Sequence, residues 1–199
     1  MIREVLAQRN TKETQIQMKL NLDGTGVSDI STGIGFFDHM LEGFTRHGLF
    51  DLQLRVQGDL QVDDHHTIED TGIVLGSVIR EAVGDKKGIR RYGSFILPMD
   101  ETLVLCAVDL CGRPYFSWDA QFPTEKIGGM STEMVREFFY AVSYSAQMNL
   151  HIKVLTPGNS HHMAEAMFKS FAKALDMAVS FDPRITCLLY TSDAADDIN

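Results

Sequence analysis

The sequence predicts an α+β fold made of two similar halves, because one short motif occurs twice in matching surroundings. Residues 65–69 and 161–165 both follow the pattern His-His-x-x-Glu. On a helix, side chains three and four positions apart lie on neighbouring faces, so each segment presents two imidazoles and a carboxylate at one helix end. The motif therefore marks an internal repeat and is also a candidate set of metal ligands.

The sequences that flank the two motifs align as well. Thirteen residues separate His39 from Leu52 in the first copy, and thirteen separate Glu137 from Leu150 in the second. Both leucines begin stretches in which apolar and polar residues alternate, the pattern of a strand with one buried face. The copies differ by two residues in the loop before the histidine pair, and loops tolerate such differences. Each half is expected to run strand, helix, strand, helix.

The elements of the first half follow from its hydrophobic pattern. Residues 16–22 alternate between apolar and polar types, which indicates a strand that stops at the turn 23–26. Acidic residues at 63–64 precede the second helix and suit the positive end of its dipole. The other predicted elements are a helix from 36 to about 48 that carries His39, a strand at 52–56, and a helix from 65 to about 83.

A basic, glycine-punctuated connection at residues 84–93 marks the boundary between the halves. The first half is therefore assigned to residues 1–84 and the second to residues 85–186. Residues 187–199 follow neither the helical nor the strand period and become acidic. They are expected to form a disordered or non-native tail.

The second half begins with two β-prone segments. Residues 102–110 and 115–118 are predicted to form a hairpin that places Arg113 at the end of a sheet. The elements predicted after this hairpin are a helix from 131 to about 148, a strand at 150–155, and a helix from 161 to about 180.

Composition limits the partners and the compartment that are expected. The 199-residue chain carries a formal net charge of −9 and has a pI near 5.2, which argues against nucleic-acid and anionic-membrane partners. Its three cysteines lack CxxC spacing, so neither a disulfide framework nor a cysteine zinc site is indicated. The first residues lack the apolar core of a signal peptide, and no apolar run approaches membrane-spanning length. A soluble cytoplasmic protein is expected.

The histidines are concentrated where the repeat would bring them together. Five of the seven are His39 and the two pairs, and histidine pairs at helix starts cost desolvation without filling a core. Imidazole and carboxylate without thiolate suit manganese, iron, cobalt, nickel or zinc. Glu137 occupies in the second half the position of His39, and it is either a ligand or an exposed helix residue. Up to eight donors favour two ions, and two halves or two subunits must meet to complete a site.

Longer motifs are spread along most of the chain, within a match that runs from about residue 9 to residue 186. They are 11–14 (TKET), 21–26 (NLDGTG), 33–41 (GIGFFDHML), 64–70 (DHHTIED), 112–114 (GRP) and 161–169 (HHMAEAMFK). Together they resemble the imidazoleglycerol-phosphate dehydratase family. The resemblance implies a duplicated βαβ-type half of the ribosomal protein S5 domain 2-like kind, with two four-stranded sheets and the helices packed between them. It also implies a homo-oligomer of 24 subunits, with two manganese ions in each active site where subunits meet.

The resemblance also implies roles for individual residues, carried over by position. The implied metal ligands are His39, His65, His66, Glu69, His161, His162 and Glu165, with Glu137 left open because some members have histidine there. The implied contacts to a small phosphate substrate are Glu13, Arg91, Arg113 and Lys169, with the arginines on the phosphate. The implied reaction is dehydration of imidazole glycerol phosphate to imidazole acetol phosphate in histidine biosynthesis. Glu13, Glu69 or Glu165 would transfer the proton.

Other functions stay open from the sequence. A dinuclear metallohydrolase of a phosphoester would use the same donors to activate water, and an assembly module would use them to join subunits without chemistry. Family members end in a Ser/Thr-Lys-Gly segment that closes over the substrate phosphate, and residues 187–199 do not reproduce it. Either these residues are not the natural end of the gene, which we favour, or the chain is a family member inactivated by its altered tail.

Overall fold

The computed structural model describes residues 3–185 and consists of two four-stranded sheets with helices packed between them. The predicted α+β class, with its duplicated half and its two sheets, is confirmed. The tail predicted at residues 187–199 lies outside the described residues. No helix within residues 3–185 is both long enough and apolar enough to cross a membrane.

The first sheet is built by the N-terminal part of the chain. Its strands are β1 (Glu4–Asn10), β2 (Thr14–Asn21), β3 (Ser28–Ser31) and β4 (Asp51–Gly58), and the helices that accompany them are α1 (Gly35–Gly48) and α2 (His65–Val83). The strand order is β1-β2-β4-β3, in which β3 runs parallel to β4 and the other neighbours are antiparallel. Every second residue of β2, from Thr14 to Leu20, is buried, so this strand contributes one face to the core.

The second sheet repeats this plan. Its strands are β5 (Tyr92–Met99), β6 (Thr102–Asp109), β7 (Tyr115–Asp119) and β10 (Asn149–Thr156), with a short ribbon of β8 (Lys126–Ile127) and β9 (Met130–Ser131), and with helices α3 (Glu133–Ala146) and α4 (Ser160–Val179). The order is β5-β6-β10-β7, and β7 runs parallel to β10. The strand orders of the two sheets therefore correspond element by element, as the repeated motif predicts.

The predicted hairpin of residues 102–110 and 115–118 is wrong. Both strands exist, but β10 lies between them, antiparallel to β6 and parallel to β7. Tyr115 is opposite Asn149 across the parallel pair. The segment with Arg113 is consequently a crossover past the end of β10 rather than a tight turn, although it does lie at a sheet end, as predicted. Neighbouring strands in sequence usually pair, and this fold departs from that tendency.

The helices interlock the two halves. α2 packs on the first sheet and against α3, whereas α4 packs on the second sheet and against α1. Each half thus places its second helix against the first helix of the other half. Phe37 of α1 contacts Phe138 of α3 and Phe168 of α4 edge-on, with ring centroids 5.3 and 6.5 Å apart, and all three rings are at most 1% exposed. These contacts fix the position of α1 relative to α4, which is what builds the site described next.

Candidate metal centre

Three of the predicted ligands converge where α1 meets α4. His161 Nε2 lies 3.0 Å from Glu165 Oε2, and His39 Nε2 lies 3.8 Å from the same oxygen. One ligand atom from each residue lies within 4.8 Å of those of the other two. We call His39, His161 and Glu165 the trio. It joins a residue of the first half to two residues of the second.

Local structure explains why these side chains face one another. The side chain of Asn159 caps α4 by accepting a hydrogen bond from the backbone N–H of His161 at 2.8 Å, so the histidine pair lies in the first turn of the helix. His161 and Glu165 are four residues apart and therefore lie on one face of α4. The ring of Phe36 meets that of His161 edge-on at 5.1 Å and holds it against α1. The trio is thus set by a cap, a helical spacing and one aromatic contact.

The charge of Glu165 is fixed by its neighbours. Lys169 Nζ lies 2.6 Å from Glu165 Oε1, on the opposite side of the carboxylate from the two imidazoles. Burial alone raises the pKa of Glu165, but the hydrogen bond and positive charge of Lys169, with contributions from His39 and His161, lower it overall. Glu165 is therefore a carboxylate at neutral pH, which is the form that binds a cation.

The corresponding residues of the first half are less closely grouped. His65 Nε2 lies 3.5 Å from Glu69 Oε2 at the start of α2. Glu137 of α3, the counterpart of His39, accepts a hydrogen bond from Arg136 at 2.6 Å. Within residues 3–185, His65, Glu69 and Glu137 do not form a second trio with ligand atoms this close together. Whether Glu137 is a ligand stays open.

The second histidine of each pair faces a different carboxylate. His66 Nδ1 lies 3.0 Å from Asp59 Oδ2, and this hydrogen bond is the main reason that the pKa of His66 is raised. His162 Nδ1 lies 3.0 Å from Glu101 Oε2. The backbone N–H groups of Asn159 and Glu101, together with the His162 ring, lower the pKa of the Glu101 carboxyl to about 2. Neither histidine belongs to the trio.

The predicted substrate residues are spread over the molecule. Glu13 is exposed in the turn between β1 and β2. Arg91 is buried and donates from Nε to Asp109 at 2.7 Å, and its backbone N–H bonds to the carbonyl of Ala178 near the end of α4. Since 17 helical residues separate position 161 from position 178, Arg91 lies about 25 Å from the trio along α4. Exposed Arg113 lies at the same sheet end as Arg91.

Comparison with known proteins identifies the family. A sequence model described as imidazoleglycerol-phosphate dehydratase matches residues 32–175. The imidazoleglycerol-phosphate dehydratase of Lachnoclostridium phytofermentans is 63% identical over 191 residues, which are 96% of this chain and 97% of that protein. This chain belongs to the imidazoleglycerol-phosphate dehydratase family. Its enzyme class is that of the hydro-lyases.

Solved structures of imidazoleglycerol-phosphate dehydratases have the same fold. The enzyme from Staphylococcus aureus is 42% identical with a TM-score of 0.82, and the match covers 90% of this chain and 99% of that one. The enzyme from Pyrococcus furiosus, solved in complex with (S)-C348, is 32% identical with a TM-score of 0.78, and the match covers 91% and 97% of the two chains. The dehydratase fold therefore extends over both halves.

The donors of the trio suit a divalent metal ion. Ligand atoms that share one ion with bonds of about 2.1 Å lie roughly 3–3.5 Å apart. Glu165 Oε2 lies 3.0 Å from His161 Nε2 and 3.8 Å from His39 Nε2. Both distances are close to that spacing without any rearrangement of the helices. Two imidazoles and one carboxylate fit manganese, iron, cobalt, nickel or zinc. Within residues 3–185, this contact between α1 and α4 is one of two places where such ligand atoms cluster, the other being Asp100, Glu101 and His162.

Two residues of the site were missed from the sequence, namely Asp59 and Glu101. A usable signal for Glu101 exists, because Glu13-Thr14 and Glu101-Thr102 begin equivalent strands 88 positions apart (101−13 and 102−14). Both threonines are 1% exposed. The alignment of the two halves began at His39 and Glu137. Extending it toward the N-terminus of each half would have paired Glu13 with Glu101. Asp59 lies in the loop where the copies differ in length, so the repeat offers no counterpart for it.

Proposed function

We propose that this chain dehydrates imidazole glycerol phosphate to imidazole acetol phosphate in histidine biosynthesis, with two manganese ions in each active site. The observation that carries the proposal is the trio of His39, His161 and Glu165. This chain belongs to the dehydratase family, and it also has a second His-His-x-x-Glu motif, at residues 65–69, that supplies further candidate ligands. A cytoplasmic location belongs to the same proposal. It is supported by Cys106 and Cys111, which are both buried and free.

The residues that would hold manganese are the two His-His-x-x-Glu motifs and His39. When bound, the ions supply positive charge that stabilises the substrate's imidazole ring as it loses a proton. The chain's own contribution is to fix the ligands. Lys169 holds one oxygen of Glu165, which leaves the other directed at the two histidine rings.

The chain must also move a proton from carbon, and Glu13 is the best placed of the three candidates. Both oxygens of Glu165 are engaged, by Lys169 and by His161, and Glu69 lies 3.5 Å from His65. Glu13 is exposed beside the start of α2, close enough to contribute to the raised pKa of His66. An exposed carboxylate next to the histidines can take a proton from the substrate while the ligands stay in place.

The phosphate end of the substrate would be bound by Arg91 and Arg113, with Lys169 as a further substrate contact beside Glu165. Arginine can bind a phosphate with two parallel hydrogen bonds, and this positions the ring for elimination. Arg91 lies about 25 Å from its own chain's trio along the helix. A single copy therefore has its proposed ligands and its proposed phosphate arginines at opposite ends. This separation supports an active site shared by several copies of a homo-oligomer, which we propose to have 24 subunits.

The test is product formation from imidazole glycerol phosphate by the purified protein, with manganese and with a chelator. We expect imidazole acetol phosphate only with manganese, and we expect His39→Ala to lose both turnover and one class of bound ion. A metal-loaded, folded protein that forms no product would contradict the proposed reaction. Manganese-independent turnover would contradict the metal requirement alone.

A further inference from the structure

The hydrogen bonds of His66 and His162 determine which ring nitrogen carries the proton. Their Nδ1 atoms face Asp59 Oδ2 and Glu101 Oε2, each at 3.0 Å. A carboxylate oxygen can only accept a hydrogen bond, so Nδ1 must be the protonated nitrogen in both rings. The neutral imidazole then has its free lone pair on Nε2, which is the atom available to a metal ion. Each carboxylate thereby selects the metal-binding face of its histidine.

Both oxygens of the Glu101 carboxylate have hydrogen-bond partners within the chain. Its Oε1 accepts the N–H of Asn159 at 2.6 Å, while Oε2 faces the His162 ring. Asp100 also approaches this ring, 3.7 Å from Nε2, but that distance is too long for a hydrogen bond and its side chain is 78% exposed. Of the two carboxylates, only Glu101 therefore lies within hydrogen-bond distance of the His162 ring, at 3.0 Å.

Gly158 makes room for this arrangement. A Cβ atom at position 158 would collide with the Glu101 carboxylate and with the hydroxyl of Thr102. The turn before α4 can therefore lie against Glu101 only because residue 158 has no side chain. In the first half, a Cβ at Gly58 would collide with Thr67, the residue after His66.

We propose that Glu101 and Asp59 are positioning residues that hold His162 and His66 in the tautomer and orientation in which Nε2 binds a metal ion. The inference rests on the proposed metal-dependent function. Such carboxylate partners orient the ring and make it a stronger ligand, and their removal typically weakens metal binding about 10- to 100-fold.

The two halves satisfy this requirement in different ways. In the second half, the glutamate of the turn before the second strand, Glu101, holds His162. Its repeat counterpart in the first half is Glu13, but Asp59 from the longer loop holds His66 instead. Asp59 therefore leaves Glu13 free for the substrate. The glutamate before the second strand thus positions a histidine in the second half, whereas its counterpart in the first half is available to the substrate.

The experiment measures Mn²⁺ binding to the metal-stripped full chain by titration calorimetry, with Co²⁺ absorption spectra as a second readout of ligand geometry. Glu101→Ala and Asp59→Asn are expected to weaken part of the Mn²⁺ binding, the former by about 10- to 100-fold. Gly158→Ala should reproduce the Glu101→Ala loss while the carboxylate is still present. Asp29→Ala, which removes one carboxylate of an exposed ion pair, is the control, and it should leave Mn²⁺ affinity unchanged. Thermal melting of each metal-free variant checks that the fold is intact.

The outcomes separate the positioning role from the proposed function. If His162→Ala weakens Mn²⁺ binding but Glu101→Ala does not, the positioning role is wrong and the metal site stands. If Gly158→Ala binds like the unmodified protein, the carboxylate acts through its charge and not by holding the ring, which also overturns the inference. If the unmodified protein binds no Mn²⁺, the proposed metal dependence fails and the positioning role fails with it.

Discussion

At the scale of single residues, Asp70 joins three elements of the first half. It follows Glu69 on α2 and is 8% exposed. Thr14 of β2 donates to it at 2.5 Å, and the guanidinium of Arg9 on β1 lies 2.9 Å away. Because Thr14 is adjacent to Glu13, this buried carboxylate fixes the turn that carries the proposed proton-transfer group relative to the start of α2.

Replacing Asp70 with alanine should destabilise the fold, since Thr14 and Arg9 would lose a buried acceptor. We expect the free energy of unfolding to fall by about 2–3 kcal/mol, measured by urea denaturation of the metal-free protein. Asp29→Ala is the matched control, because the Asp29–Arg55 pair is 62% and 54% exposed and should contribute less than about 1 kcal/mol. Equal effects of the two changes would contradict the role assigned to Asp70.

Asp51 provides a test of pH dependence. Burial raises its pKa, but the backbone N–H groups of Thr25, Val27 and Gly26 outweigh burial and lower it below the ordinary value of 3.8. A carboxylate with a lowered folded pKa stabilises the fold above its unfolded pKa, and this contribution is lost as the pH falls through the folded pKa. The stability difference between the unmodified protein and Asp51→Asn should therefore shrink between pH 7 and pH 3. A difference that does not change with pH in urea denaturation would count against this contribution.

What the sequence could predict about single residues depended on how unusual they are. The repeated His-His-x-x-Glu motif stands out, and His39 lies at a matching distance before the strand, so all members of the trio were named as candidates. Glu101 and Asp59 are ordinary acidic residues in loops, where carboxylates are common, and only their contacts with His162 and His66 give them a role. The candidate ligands could therefore be named from the sequence, but the carboxylates that contact them could not.

At the scale of elements, three strands of the four-stranded sheets were missing from the prediction, as were the two-residue strands β8 and β9. β1, β3 and β5 all lie at sheet edges, and each buries at most one side chain. Apolar alternation is weak in such strands, because one face and one edge have little contact with the core. The central strands β2 and β4 bury alternate residues and were predicted close to their actual bounds.

The contact between α2 and α3 depends on glycine. A Cβ at Gly76 would lie 2.5 Å from the carbonyl oxygen of Val142 and 2.9 Å from the nitrogen of Ala146. Gly76→Ala must therefore push the helices apart, and we expect it to lower stability by about 1–3 kcal/mol. At Gly43 on α1, a Cβ would meet nothing within 4 Å, so Gly43→Ala should raise stability by about 0.5–1 kcal/mol. Melting temperatures that shift in the same direction for both variants would contradict this account of the packing.

At the scale of the whole molecule, the proposed shared site can be tested by mixing two defective variants. His161→Ala damages the trio, and Arg113→Ala damages the proposed phosphate contact at the other end of the chain. If one site takes these residues from different copies, co-expression of the variants should restore part of the turnover at low substrate concentration. Each variant expressed alone is the control. Mixed assemblies that are no more active than the two variants alone would place Arg113 and the trio in one copy's site.

The interlocked helices bear on how such a chain could arise. In this chain α1 packs against α4, and α2 packs against α3. A protein consisting of one half alone would expose the helix faces that make these contacts. Two copies of that ancestor would hide those faces by pairing around a twofold axis, since the two contacts are equivalent under the repeat. The pair would carry the same His-His-x-x-Glu motif twice. Gene fusion would then let each copy change alone, as the difference between His39 and Glu137 illustrates.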